Sequence, residues 1–160
     1  MSAEFLLRVL MESLAAGFVA VAFAMLFAVQ LRYLPYVALG GFVTRMLRTS
    51  LFVGAGMEVA IATFIACSIT SVMFIAIAPR LGVPRPVFTV ASIIPLIPGI
   101  DAYTCLMTLF NVIDAPSSFI GDNAYLIVHH GMRCFAILLA ICLGIAIPPL
   151  FFYRGRVNDV

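Results

Sequence analysis

The sequence predicts an all-α, polytopic integral membrane protein with roughly four to five transmembrane helices, one of them broken from Pro95 to Gly99. Three observations carry that expectation. Of the 160 residues, 64% are hydrophobic and only 10% are charged, whereas soluble domains carry about 45–50% apolar and about 25% charged residues. Such a chain lacks the polar surface to face water, so its solvent is lipid. The apolar residues gather in runs long enough to cross a bilayer, and the fourth run holds Pro95, Pro98 and Gly99 in close succession.

Residues 1–160 read as one transmembrane domain, because no Ser/Gly-rich linker or polar tract divides them and the chain is too short for a second domain. The net charge is +2, every basic residue is an arginine, and the arginines sit at the ends of apolar runs rather than in a cluster that would suit nucleic acid. They read as topology markers. Cys67, Cys105, Cys134 and Cys142 lie inside apolar stretches without C-x-x-C spacing, which suggests buried small residues rather than a disulfide framework or a zinc site.

Residues 10–29 are long enough, at about 1.5 Å per residue, to cross roughly 30 Å of hydrocarbon. A cleaved leader with an A-x-A site at Ala20 and Ala22 is the competing reading, but Glu4 and Glu12 against Arg8 do not make a positive n-region. Ala16, Ala20, Ala24 and Ala28 recur every fourth residue and predict a face for close helix approach. Residues 33–48 hold Pro35, Gly40 and Gly41 between Arg32 and the pair Arg45 and Arg48. This segment is either a short helix whose arginines snorkel to the headgroups or a re-entrant hairpin buried in protein. Residues 51–78 cross with Ser68, Thr70 and Ser71 inside, Glu58 near the start and Pro79 closing the helix. Residues 86–113 form the broken segment. Residues 123–153 form the last, with Ala136, Ala140 and Gly144 again at four-residue spacing and Pro148 and Pro149 bending or ending it.

Arginines prefer the cytoplasmic side. Arg80 and Arg85 share a side with Arg154 and Arg156, whereas the loop between the last two runs carries Asp114 and Asp122, so the C-terminus is expected in the cytoplasm. If residues 33–48 cross, Arg32 joins that side and the N-terminus lies outside; if they are re-entrant, Arg8 joins it instead.

Pro95 and Pro98 lack amide hydrogens and clash with the carbonyls of Ala91 and Ile94. The helical pieces on either side, about 14 Å and about 18 Å long at helical rise, place the break near mid-bilayer. Non-helical backbone at that depth is tolerated only against protein or a water-filled cavity, and a half-helix N-terminus there offers free amides to an anionic group such as a carboxylate. Ser92, Pro95, Pro98, Gly99, Asp101, Tyr103 and Thr104 are therefore the candidate substrate-binding residues. Asp101 is either the N-cap of the second piece or an intramembrane acid that takes up a coupling proton or holds an ammonium group. Tyr103 and Thr104 could supply hydroxyls, and Ser92 could satisfy a freed carbonyl.

PVFTVASIIPLIPGIDAY, residues 86–103, resembles the signature of the threonine/serine exporter family, in particular its small split subunit. The shared features are a Pro-rich start, P-x-x-P-G within the membrane, an aromatic residue four positions after the glycine, and the ending IPPLFFYR. Pro95, Pro98, Gly99 and Tyr103 match the motif. The resemblance implies that the chain works with a larger integral membrane subunit of the same family, and that its substrates are small carboxylates, threonine and serine in some members and succinate in others. It also places the protein in the bacterial inner membrane.

Tyr125, His129 and Arg133 share one helix face with Asp122 a turn earlier, which predicts either a polar stripe on a pore or an amphipathic extension beyond the lipid. His129 and His130 diverge by about 100° on a helix and are poor joint metal ligands. No metal, cofactor or nucleic-acid site is expected, and no nucleophile elbow, carboxylate pair or phosphate loop suggests an enzyme. The sequence thus points to an exporter subunit for small carboxylate-bearing metabolites, with a non-transporting scaffold or regulatory subunit as the rival. Lipid surrounds it, and its alanine faces suit a larger partner, further copies of the chain in a homo-oligomer, or both.

Overall fold

The computed structural model describes residues 3–113 and 120–153. Asp114, Arg154 and Arg156, and the side chain of Asp122, fall outside that description. Among the described residues every regular element is helical: α1 (Ala3–Leu26), α2 (Leu34–Thr49), α3 (Val59–Leu81), α4 (Pro86–Ile93), α5 (Gly99–Ile113) and α6 (Ile120–Tyr153). The chain forms two compact units, Met1–Leu96 with Ala140–Val160, and Ile97–Leu139.

By length and composition, Glu4–Leu26, Val59–Leu81 and Asn123–Phe152 can each cross a membrane, and Pro86–Leu96 with Gly99–Ile113 makes a fourth span if the broken pair counts as one. The protein is thus a multi-pass helical membrane protein. The upper expectation of five spans needs α2, which at 16 residues is too short to qualify by itself. Large apolar side chains point outward, Phe18 and Leu26 with 78% and 79% of their surface accessible. That would be unfavourable in water and is ordinary against acyl chains.

In the first unit, α1 and α2 pack antiparallel on small residues. A Cβ on Gly41 would lie 2.6 Å from the Cβ of Ala20, and one on Gly17 would lie 3.2 Å from the carbonyl oxygen of Ala38. Ala16, Ala20 and Ala24 are buried on that face as expected. Ala28 is not part of it. The helix ends at Leu26, and Ala28 adopts φ 55° while the Val29 amide donates to the Ala24 carbonyl at 3.0 Å, the six-to-one bond that closes many helices. Residues 33–48 contain no reversal of the chain. After a 3₁₀ turn (Leu31–Tyr33), Pro35 sits in the first turn of α2, where its missing amide is harmless. The helix then continues through a π-helical turn (Ser50–Gly54) until Gly54 meets the ring of Phe5 near the start of α1.

The third segment departs from the expected 51–78. Residues 51–54 belong to the π turn, α3 begins at Val59 after Glu58, and Pro79 lies inside the helix instead of closing it. Gly82 ends the helix at φ 65°, with the Gly82 and Val83 amides donating to Pro79 and Ala78. Glycine reaches that conformation without steric cost, which is why the stop falls there. Pro148 and Pro149 likewise lie inside α6. Phe74 of α3 stacks on Phe88 of α4 at 5.5 Å between ring centroids, and Tyr33 meets Phe88 edge-on at 5.7 Å. With Val37, Ala78 and Ala91 they form the buried centre of this unit. The Tyr33 hydroxyl lies 3.5 Å from the Leu81 carbonyl oxygen, so the α1–α2 and α3–α4 connections share one end. The C-terminal part of α6 packs on α3, where a Cβ on Gly144 would lie 2.6 Å from the Cβ of Cys67.

The second unit pairs α5 with the N-terminal part of α6. The two run antiparallel: Asp101 meets His130, while the Cys105 thiol lies 3.5 Å from the Ile127 carbonyl and 3.3 Å from where a Cβ on Gly131 would stand. Between the units the fourth segment unwinds as its prolines require. After α4 comes a 3₁₀ turn (Ile94–Leu96), then residues 97–98 outside any helix, then α5 from Gly99.

Candidate functional site

Glu12, Arg45 and Arg48 of the first unit converge where α4 ends. Arg8 and Glu12 are one turn apart on α1, and Arg45 and Thr49 one turn apart on α2, so each pair shares a helix face. Packed antiparallel, the two faces meet. Glu12 Oε1 accepts from Arg8 Nε at 3.0 Å, and Oε2 accepts from Arg45 Nη2 at 3.0 Å, Arg45 Nε at 3.2 Å and the Thr49 hydroxyl at 3.0 Å. Two guanidinium groups thus share one carboxylate, which leaves positive charge in excess. A carboxylate in an apolar span is strongly unfavourable unless paired and hydrogen-bonded, and this arrangement satisfies both its oxygens.

Arg48, on the next face of α2, donates from Nη1 to the Leu96 carbonyl at 3.0 Å. In an unbroken helix that carbonyl would accept from the amide four residues on; here a guanidinium takes its place. Beside it, Pro95 lines an open cleft of about 260 Å³ with Glu12, Ala15, Ala16, Val19 and Arg45. Ser92 is fully buried, and its hydroxyl donates to the Val37 carbonyl of α2 at 3.2 Å, not to a carbonyl freed in its own helix. Nearby, the Thr44 and Thr70 hydroxyls are 2.8 Å apart.

In the second unit His130 Nδ1 lies 2.8 Å from Asp101 Oδ1, and Arg133 Nε lies 3.7 Å from Oδ2. Asp101 therefore does not act as the N-cap. The Pro98 carbonyl already accepts from the Ala102 amide at 3.0 Å, which starts α5 at Gly99 and puts Asp101 inside the first turn, from where its carboxylate reaches His130 and Arg133 of α6. His129 stacks on Tyr125 at 5.8 Å between centroids and meets His130 edge-on at 5.3 Å. The expected stripe of Tyr125, His129 and Arg133 is thus divided: Arg133 and His130 turn to Asp101, and His129 stays with Tyr125.

The candidates from the sequence consequently lie in different units. Ser92 and Pro95 belong to the first; Pro98, Gly99, Asp101, Tyr103 and Thr104 belong to the second. Pro98 is buried, Gly99 and Tyr103 are exposed, and the Thr104 carbonyl accepts from the Thr108 hydroxyl at 2.8 Å. Sequence reasoning missed Glu12, Arg45, Arg48, Thr49 and His130. The i, i+4 spacings of Arg8 with Glu12 and Arg45 with Thr49 were legible, but the meeting of the two pairs depends on antiparallel packing. Among the described residues no cluster of His, Cys, Asp and Glu could hold a metal ion.

Three apolar helices long enough to cross a membrane, a fourth span broken at its prolines, and ion pairs between helices define a class: polytopic helical membrane proteins. Within that class the chain belongs to the threonine/serine exporter family, ThrE, which matches residues 12–151. An uncharacterised protein of Haemophilus influenzae is 33% identical over 162 aligned positions, covering 95% of this chain and 50% of that protein. The chain therefore spans about half the length of the curated relative it matches. No solved structure matches the chain.

Proposed function

We propose that this chain is the smaller membrane subunit of a secondary exporter of small carboxylate-bearing metabolites, either threonine/serine-type amino acids or succinate-type dicarboxylates. The observation that carries the reading is the cleft at the end of α4. There Pro95 faces Arg45 and Glu12, and Arg48 holds the Leu96 carbonyl at the broken helix. A site with positive charge in excess, beside non-helical backbone, suits a carboxylate, and a carboxylate entering it would compete with Glu12 for Arg45. The residues after the break, Pro98, Gly99, Asp101, Tyr103 and Thr104, are further substrate contacts in this reading.

A larger integral membrane subunit of the same family supplies the rest of the transporter. The half of the Haemophilus influenzae protein that this chain does not span supports such a companion. In the bacterial inner membrane, Arg32 joins Arg80 and Arg85 at the end where the α1–α2 and α3–α4 connections meet, and that end faces the cytoplasm. The N-terminus of α1 then lies outside, α2 crosses with its π turn, and the C-terminus is cytoplasmic.

The test is export of threonine, serine and succinate from cells expressing this chain with its companion. Pro95→Ala, Pro98→Ala and Gly99→Ala together are expected to leave the complex assembled and to lower export by about tenfold or more, the scale of losing one charge-assisted contact. Gly99→Ala alone is expected to leave folding unchanged, because a Cβ there meets nothing within 4 Å, so any loss of export from it would come from the site and not from packing. Unchanged export from the triple variant would favour the scaffold reading.

A further inference from the structure

In the second unit an acid on α5 sits between a histidine and an arginine of α6. Asp101 faces two basic side chains from α6: His130 at 2.8 Å on Oδ1 and Arg133 at 3.7 Å on Oδ2. The other titratable groups around it are Cys105 on α5 and His129 and Cys134 on α6. The pair is mostly buried, with 15% of the Asp101 side chain and 22% of the His130 side chain accessible. His130 also lies inside the apolar span Asn123–Phe152.

We infer that His130, held on Asp101 and backed by Arg133, carries the coupling proton of the exporter; this role rests on the exporter reading above. Imidazole is the side chain whose ordinary titration falls near neutral pH, whereas a guanidinium stays charged throughout. With Nδ1–H donating to Asp101, the proton enters and leaves at Nε2. Uptake of one proton from water converts imidazole to imidazolium, and release returns it to water on the opposite side. In the neutral state the Asp101 carboxylate still has Arg133, so the cluster alternates between no net charge and one positive charge. Protonating Asp101 instead would take the carboxylate away from Arg133 and leave that guanidinium facing an uncharged acid. Around Glu12 the ionic partners are both guanidinium groups, so no imidazole stands there.

The test uses the complex of this chain with its companion in lipid vesicles, comparing substrate exchange at equal pH with net transport driven by a pH gradient. His130→Gln keeps a hydrogen-bonding side chain without titration. His130→Lys keeps the cation on Asp101 but titrates far above the working range. In whichever variant assembles, exchange is expected to stay within about twofold of wild type while gradient-driven transport falls by about tenfold or more, as for loss of an essential intramembrane proton carrier. Gradient-driven transport at the wild-type level in either variant would overturn the role. So would a parallel fall of exchange and gradient-driven transport in both, which marks a structural staple. A wild-type complex that moves none of threonine, serine or succinate would overturn the exporter reading and this role with it, whereas a working wild type with a fully coupled variant would overturn the role alone.

Discussion

Glu12→Ala is expected to destabilise the protein by about 2–3 kcal/mol, somewhat below the loss for one partner of a fully buried pair, because 27% of the Glu12 side chain is accessible. The loss comes less from the missing contacts than from what remains. Arg45, with 29% of its side chain accessible, would be left without its carboxylate, and the Thr49 hydroxyl would lose its acceptor. Unfolding in mixed micelles, followed by helix content against denaturing detergent, measures the change. Glu12→Ala with Arg45→Ala should recover part of it, since removing that cation relieves the stranded charge. Glu12→Gln should fall between, keeping the Thr49 bond without the ion pairs. A double variant as unstable as the sum of the two single variants would show that the cluster is not coupled in this way.

The second large effect is expected at Gly40. A Cβ there would stand 2.6 Å from Phe74 Cζ and 2.8 Å from Cε2, and it would also meet the Ser92 hydroxyl. None of these neighbours can yield at small cost. The Phe74 ring is fully buried and stacked on Phe88, and Ser92 is fully buried and bonded to Val37. Gly40→Ala should therefore cost about 2–3 kcal/mol, toward the upper range for overpacking, and Gly40→Val should prevent the first unit from folding. Gly99→Ala, with open space around it, should be nearly neutral by the same measurement. If Gly40→Ala proves as mild as Gly99→Ala, the close approach of α2, α3 and α4 is wrong.

Legibility differed by the range of the interaction. The apolar runs, the four-residue spacing of small residues at Ala16, Ala20 and Ala24, and the interruption at Pro95 and Pro98 are local properties, and each appears in the structure near where it was expected. Helix ends were harder to read. Pro79 looked like a stop, yet α3 runs on to Leu81, because a proline in the last turn removes only one hydrogen bond whereas Gly82 supplies the backbone conformation that turns the chain. Arg45 and Arg48 looked like flanking charges on a short segment. They instead answer Glu12 and the Leu96 carbonyl, partners that lie far away in sequence.

By itself the sequence determined that this chain lives in lipid, that it is helical, and that one of its helices cannot stay wound at Pro95 and Pro98; composition and proline stereochemistry suffice for these. Only the tertiary structure decided which polar groups meet. Arg45 and Thr49 found Glu12, Arg48 found Leu96, and Asp101 turned from the helix start to His130 and Arg133. The physical reason is that an unpaired charge in hydrocarbon is so unfavourable that packing must supply its partner, and the identity of that partner depends on which helix faces are brought together.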